Sequence, residues 1–306
     1  MSDIANALGP LFLLILLGAA LGWARFPGGD FWPRLERFIY YLLFPAMLVA
    51  TLATADVRQV PVLRLGVTLL GTMTLLGLGL WLARHRLALA PPAFTSTFQG
   101  VVRFNTYVGV AGATALHGAA GTTVAAVAVA LMVPTANILC VLAFIASGTL
   151  GSASLRRSAV ALLRNPLILA CLLGIVLNLG GIGLPGWSFE AIELLGNAAL
   201  PLGLVAVGVA LRPQALWHSG KAFWLSSALK LLVTPLIVLA LAWMVGLHGA
   251  DRDVALLFAA LPTATSAYIL ARQLGGDAEL MAAVITGQTL LAMATLPLLL
   301  NAFGVN

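Results

Sequence analysis

The sequence predicts an all-α membrane protein of ten transmembrane helices, arranged as two inverted five-helix repeats. Three observations predict it. Of 306 residues, 61% are hydrophobic and 8% charged, with a mean hydropathy of +1.05. A soluble domain carries about a quarter charged residues, so lipid is the expected solvent for most of the surface. The apolar residues fall into ten runs of the about 20 residues that a spanning helix needs. Pro and Gly also recur at a fixed offset between the two halves.

Spans 1 to 5 are read as Asn6–Ala24, Leu35–Thr54, Leu63–Ala83, Ala93–Leu116 and Thr122–Ser147. Spans 6 to 10 are Leu162–Gly181, Glu190–Leu211, Ala222–Val245, Asp253–Leu274 and Ala278–Ala302. The links are short and rich in turn formers, as in Phe26-Pro27-Gly28-Gly29 and Leu184-Pro185-Gly186. Met1 to Gly9 carries only Asp3, without the basic stretch of a cleaved leader, so span 1 is expected to stay. Pro10-Leu11 followed by Gly18 in span 1 matches Pro166-Leu167 followed by Gly174 in span 6, at an offset of 156. Pro45 of span 2, in Leu42-Leu43-Phe44-Pro45, matches Pro201 of span 7 at the same offset. The repeats are then residues 1–150 and 151–306, together one integral membrane unit. Five is odd, so the second repeat enters the membrane from the opposite side, the plan of many secondary transporters.

Orientation follows from the basic residues. The odd-numbered links and span ends hold Arg25, Arg34, Arg37, Arg84, Arg86, Arg156, Arg157, Arg164, Arg212, Lys221 and Arg272. The even-numbered ones hold only Arg58, Arg64 and Arg252. Positive-inside placement therefore puts both termini outside the cytoplasm, in a multi-pass protein of the cell inner membrane. Trp23, Trp32, Trp81, Trp187, Trp217, Trp224 and Trp243 all fall near span ends, where an aromatic belt belongs. The net charge of +6 is dispersed among these links, which argues against nucleic acid as a partner.

The most polar intramembrane stretches are Gly100-Val101-Val102-Arg103-Phe104-Asn105-Thr106-Tyr107 in span 4 and Leu261-Pro262-Thr263-Ala264-Thr265-Ser266 in span 9. Equating Asn105 with Pro262 also aligns Thr106 with Thr263 and Gly118 with Gly275. Helical rise puts both stretches roughly 14–18 Å deep, near the midplane. Pro262 lacks an amide donor and clashes with the preceding turn. Thr263, Thr265 and Ser266 are suited to cap a restarted helix, as are Asn105 and Thr106. Two broken helices would bring two positive half-helix N-termini to the midplane, a site for an anionic group. The bland alternative is a pair of proline-kinked structural helices.

The chain resembles the auxin efflux carrier family of membrane transport proteins. The resemblance rests on Arg103-Phe104-Asn105-Thr106-Tyr107, Leu43-Phe44-Pro45-Ala46 and Leu261-Pro262-Thr263, and covers the ten-span plan. It implies that spans 4 and 9 cross near the membrane centre beside the substrate, with Asn105 and Pro262 at the crossing. Bacterial members of this kind are malonate-transporter-like. Plant members carry a long hydrophilic loop between spans 5 and 6; here that link is only Gly148–Ala161.

Arg103, about 15 Å deep by helical rise, is a candidate anion-binding group, since intramembrane charge is a functional hypothesis by default. The expected binding set is Arg103, Asn105, Thr106, Pro262, Thr263, Thr265 and Ser266. Asn137 of span 5 and Gln288 of span 10 are additional candidates or interhelical glue. Lys230 of span 8 is another, or an amine that snorkels to the cytoplasm. His85, His117, His218 and His248 are expected at the interfaces. Glu36, Glu190, Glu193, Asp253 and Glu279 all sit at span ends, so no carboxylate of the cation/proton antiporter kind is expected at the centre. No phosphate-binding loop, Ser–His pair or paired metal-ligating His is present. No enzyme, cofactor or metal is therefore expected, and Cys140 and Cys171 imply no disulfide framework.

Together these features predict a secondary active transporter of a small organic anion, a carboxylate such as malonate. A sodium-coupled bile-acid-type symporter is the alternative of the same architecture. A passive channel or a membrane receptor is the alternative of another class. The sequence leaves open a coupling proton or sodium ion, and a homodimer. The loop bias is tested with single cysteines at Ser2 and Arg157 in a background lacking Cys140 and Cys171. Impermeant reagent should label the first from outside intact cells and the second only from inside; labelling of both from outside refutes the orientation.

Overall fold

The computed structural model describes residues 2–55, 60–149, 164–182, 184–218 and 220–305. Among these, regular structure is entirely helical. The start of span 6, most of the link 148–161 and Arg58, Arg156 and Arg157 lie outside the described residues. The elements are α1 (Ser2–Trp23), α2 (Phe31–Thr54), α3 (Val62–Leu87), α4 (Pro91–Val102), α5 (Thr106–Ala146), α6 (Pro166–Leu179) and α7 (Gly186–Val209). They continue with α8 (Lys221–Val245), α9 (Gly249–Ala260), α10 (Ser266–Leu274) and α11 (Ala278–Ala302).

By length and apolarity alone, seven of the described helical runs can cross a membrane. The difference from ten has local causes. Span 9 is divided between α9 and α10, of 12 and 9 residues, each too short alone. The apolar part of span 6 that is described has 14 residues. Spans 4 and 5 share one 56-residue run, Pro91–Ala146. Within that run the chain folds back. His117 leaves helical geometry (φ −130°, ψ 15°) and Gly118 adopts φ 56°, ψ −138°, a conformation open to residues without a Cβ. In a straight helix, residues eight apart are separated by about 12 Å. Here the hydroxyls of Thr114 and Thr122 approach to 2.8 Å. Gly275, equated with Gly118 in the sequence, ends α10 with φ 79°.

Helices α2 and α8 each relax into a π turn, Ile39–Leu43 and Leu229–Val233, just before Pro45 and Pro235. A proline ring collides with the carbonyl four residues back, and a wider turn removes the collision. Across this wider turn the Leu229 carbonyl accepts from the Thr234 amide and also from the Thr234 hydroxyl, the latter at 2.8 Å.

In lipid, helices associate through close packing of small residues rather than through exclusion of water. Helix α1 packs on α7, and α6 packs on the second half of α2. A Cβ on Gly18 would collide with the Val205 carbonyl of α7, and one on Gly208 with the Ile15 carbonyl of α1. A Cβ on Gly174 would lie 2.8 Å from Leu52 Cβ of α2. Equating span 1 with span 6 and span 2 with span 7 exchanges these two helix pairs. Helices α3, α4, α5, α8, α9 and α11 form the other contact group, in which α3 packs on α8 and the first part of α5 on α9. The side chains of Trp23, Trp187, Trp224 and Trp243 are exposed at the ends of their helices.

Gly18→Val should lower the melting temperature in detergent sharply, since overpacking costs about 1–3 kcal/mol and occasionally more, and the obstacle here is backbone. Gly79→Ala, with nothing within 4 Å of the added carbon, should leave it unchanged. Equal melting curves for wild type and Gly18→Val refute this packing.

Candidate functional site

Helix α4 ends at Arg103 in extended geometry (φ −78°, ψ 159°), and α9 ends at Leu261 in nearly the same one (φ −65°, ψ 146°). The two interruptions are joined: the Asn105 amide donates to the Pro262 carbonyl at 2.8 Å. Asn105 and Pro262 are thus at one crossing. The restarted helix α5 is capped by Asn105, whose Oδ1 accepts from Val108 N at 3.3 Å.

The expected cap of α10 is corrected. No side chain caps its first turn, because Thr263, Thr265 and Ser266 are bonded elsewhere. Thr263 Oγ1 donates to the Gln99 carbonyl at 3.3 Å, and its amide donates to Gln288 Oε1 at 3.0 Å. Gln288 Nε2 donates to the Gly100 carbonyl at 3.0 Å. Gln288 therefore bridges the two breaks from α11, completing backbone groups that apolar surroundings would leave at a cost. Thr265 Oγ1 donates to Glu36 Oε1 of α2 at 3.2 Å. Ser266 Oγ accepts from Arg103 Nη2 at 3.2 Å, while Arg103 Nη1 donates to Asn137 Oδ1 at 3.0 Å. Thr106 opens α5 and is half-buried.

The site therefore has a sealed side and an open side. Asn105, Pro262, Thr263 and Gln288 are buried, whereas Arg103, Thr106, Thr265 and Ser266 are half-exposed. Among the described residues the Arg103 guanidinium engages Asn137 and Ser266 and reaches the Cys140 thiol, so its five N–H groups still leave donors for a further acceptor. Asn105 Nδ2 and both amide atoms of Gln99 are buried without a protein partner among the described residues.

Lys230 is not part of this cluster. It sits in the π turn of α8 at 2% exposure and does not snorkel. It lines a small internal void with Thr72, Thr234, Val101 and Phe258, on the far side of the first half-helices. The straight eight-residue path expected to the cytoplasm ignored how tightly α8 packs there. His117 sits at the turn between spans 4 and 5; its Nε2 lies 3.2 Å from Asp253 Oδ2, and Arg252 holds the other oxygen of that buried carboxylate at 2.7 Å. A cavity of about 620 Å³ lies away from the crossing. It is lined by Thr51, Thr54, Thr123, Glu193, Asn197 and Asp251, at the end of the bundle formed by the even-numbered links. The crossing carries the convergent polar chemistry, and the cavity does not reach its residues.

Sequence reasoning missed Gln99 and Glu36. Gln99 had a signal, the polar run Thr95-Ser96-Thr97-Phe98-Gln99 within an apolar span. Glu36 had none, because its partner lies 229 residues away.

A lipid-facing helical bundle whose polar interior gathers at two interrupted helices has the architecture of a membrane transport protein. Residues 150–300 match the family model described as Membrane transport protein. An uncharacterized transporter of Methanothermobacter thermautotrophicus is 29% identical over 303 residues, covering 94% of each chain. A Rhizobium meliloti protein named "Putative malonate transporter" is 29% identical over 312 residues, covering 96% of this chain and 94% of its own. Auxin efflux carrier component 1 of Arabidopsis thaliana is 28% identical over 138 residues, which is 43% of this chain and 22% of that one. The chain is thus similar to membrane transport proteins, the auxin efflux carriers among them.

Asn105→Ala should abolish transport at near-normal membrane expression. Loss of the cap costs only about 1 kcal/mol of stability, while the polar corner of the crossing is lost. Full transport by a properly inserted Asn105→Ala protein refutes this site.

Proposed function

We propose that the protein is a secondary active transporter that carries a small organic anion, a carboxylate such as malonate, across the cell inner membrane. Transport proceeds by alternating access at the crossing. The observation that carries this reading is the meeting of the half-helix starts of α5 and α10 beside the Arg103 guanidinium. Free backbone N–H groups and the helix dipole favour an anion there, and a guanidinium matches a carboxylate with two parallel hydrogen bonds. The name of the Rhizobium meliloti relative points to the same substrate class.

In this reading the chain is two inverted repeats with ten membrane segments and both termini outside the cytoplasm. The exchangeable helix pairs α1–α7 and α6–α2, the paired breaks and the basic odd-numbered links support it. The contact group of α1, α2, α6 and α7 rocks against the group that holds the crossing. The 620 Å³ cavity then lies on the outer face as one access path. A passive channel or receptor has no need of two interrupted helices bonded to each other.

Proteoliposomes with labelled dicarboxylates, under imposed pH or sodium gradients, test the activity; accumulation driven by sodium alone favours the sodium-coupled symporter. Removing one partner of a desolvated charge contact costs about 2–5 kcal/mol, roughly a 30-fold or greater loss of affinity. Arg103→Gln should therefore be nearly inactive and Arg103→Lys impaired, mainly in affinity. The rival role, tying α5 and α10 together through Asn137 and Ser266, predicts a lower melting temperature with unchanged affinity. Both are measured on one purified preparation.

A further inference from the structure

The start of α10 holds two opposite charges on neighbouring residues. Thr265 donates its hydroxyl to the Glu36 carboxylate, and Ser266 accepts from the Arg103 guanidinium. The two charges are not paired with each other: no ion pair within 4.0 Å among the described residues joins them. Glu36 lies in the second turn of α2 and is half-buried. A carboxylate at a half-helix N-terminus occupies the kind of place that an anionic substrate takes.

The groups facing Glu36 are few. Tyr107, in the first turn of α5, lies within its electrostatic reach, and Tyr40 of α2 lies within reach of both Tyr107 and Arg103. Helix α10 adds Tyr268, over whose ring the Arg212 guanidinium lies at 5.1 Å, and the exposed Arg272, and α2 itself adds the exposed Arg34 and Arg37. The second half of α7, Ala199–Val209, packs against α2 and carries no titratable side chain. Arg103 is thus the fixed charge hydrogen-bonded at this helix start, and Glu36 is the carboxyl group beside it that can take or release a proton.

We propose that Glu36 carries the coupling proton of this transporter, and that it binds that proton together with the substrate anion. The proposal rests on the reading of the crossing as an anion site. Ionised Glu36 repels an incoming carboxylate and holds the Thr265 hydroxyl. Protonated Glu36 does neither, and its O–H becomes a donor to the substrate. Proton and anion then favour each other's binding, and the coupling is reciprocal. One dicarboxylate dianion crosses with one proton, so each cycle moves one net negative charge; in Glu36→Gln it would move two.

The test uses full-length purified protein and malonate as the probe. Addition of malonate to wild type in weakly buffered detergent at pH 7.5, roughly three units above an ordinary Glu, should cause net proton uptake of up to one per bound anion, beyond that of malonate alone. Malonate affinity should fall with rising pH by up to about tenfold per unit more steeply in wild type than in Glu36→Gln. The wild-type-to-variant ratio removes the titration of malonate itself. In proteoliposomes an inward acid gradient should drive malonate accumulation by wild type and by Glu36→Asp, which keeps an acid, but not by Glu36→Gln. Equal pH slopes, gradient-driven accumulation by Glu36→Gln, or binding without proton uptake overturns the role of Glu36 and leaves the anion site standing. Absence of malonate binding by wild type at every pH overturns the anion site and this proposal with it. Should Glu36→Gln fail to fold, Glu36→Asp takes its place: a pH slope of malonate affinity unshifted from wild type, or binding to wild type without proton uptake, overturns the role of Glu36.

Discussion

Two interrupted helices within so apolar a bundle leave carbonyls at the ends of α4 and α9 and amides at the starts of α5 and α10, which need partners inside the protein wherever water does not reach. The bundle depends on how those groups are satisfied. The Asn105 amide takes the Pro262 carbonyl, Gln288 takes the Thr263 amide and the Gly100 carbonyl, and the Thr263 hydroxyl takes the Gln99 carbonyl. Each break therefore supplies partners for the other, and neither interruption is stable alone. This mutual bonding also fixes the distance between α4, α9 and α11, and leaves one edge of the crossing, with Arg103, Thr265 and Ser266, half-exposed.

Close packing elsewhere follows from the same solvent. Lipid gives little reward for bringing two leucine faces together, so helices approach where small residues let backbones meet. Gly18 and Gly208 do this between α1 and α7, and Gly174 does it between α6 and α2. Pro45 and Pro235 are accommodated by wider turns, so α2 and α8 remain continuous. The interruptions are thereby confined to spans 4 and 9, where the polar side chains are.

The chemistry at the crossing comes from geometry imposed on ordinary residues. Asn137 and Ser266 orient the Arg103 guanidinium, and Thr265 orients the Glu36 carboxylate. In the proposed function, the cation and the anion held separately at this helix start are two handles, one for a substrate carboxylate and one for a proton. Hydrogen bonds from charged groups are strong where water is scarce. Because Thr265 and Ser266 both open α10, a small shift of α10 changes both contacts at once.

Composition alone determined that this chain lies in a membrane, because so few charges cannot cover a surface in water. Proline and polar residues at membrane depth determined that spans 4 and 9 break, because a missing donor cannot be restored within the helix. Arg103, Asn105, Thr263 and Ser266 were legible for that reason. Tertiary structure decided what those residues bond to. Thr263 and Thr265 do not cap α10, Lys230 lies behind the crossing, and His117 meets Asp253, all through contacts between distant segments. Glu36 reads in the sequence as a helix-end acid, and only the packing of α2 against the start of α10 brings it to the break. Local sequence sets where backbone hydrogen bonds fail; which distant side chain answers depends on how the helices come together.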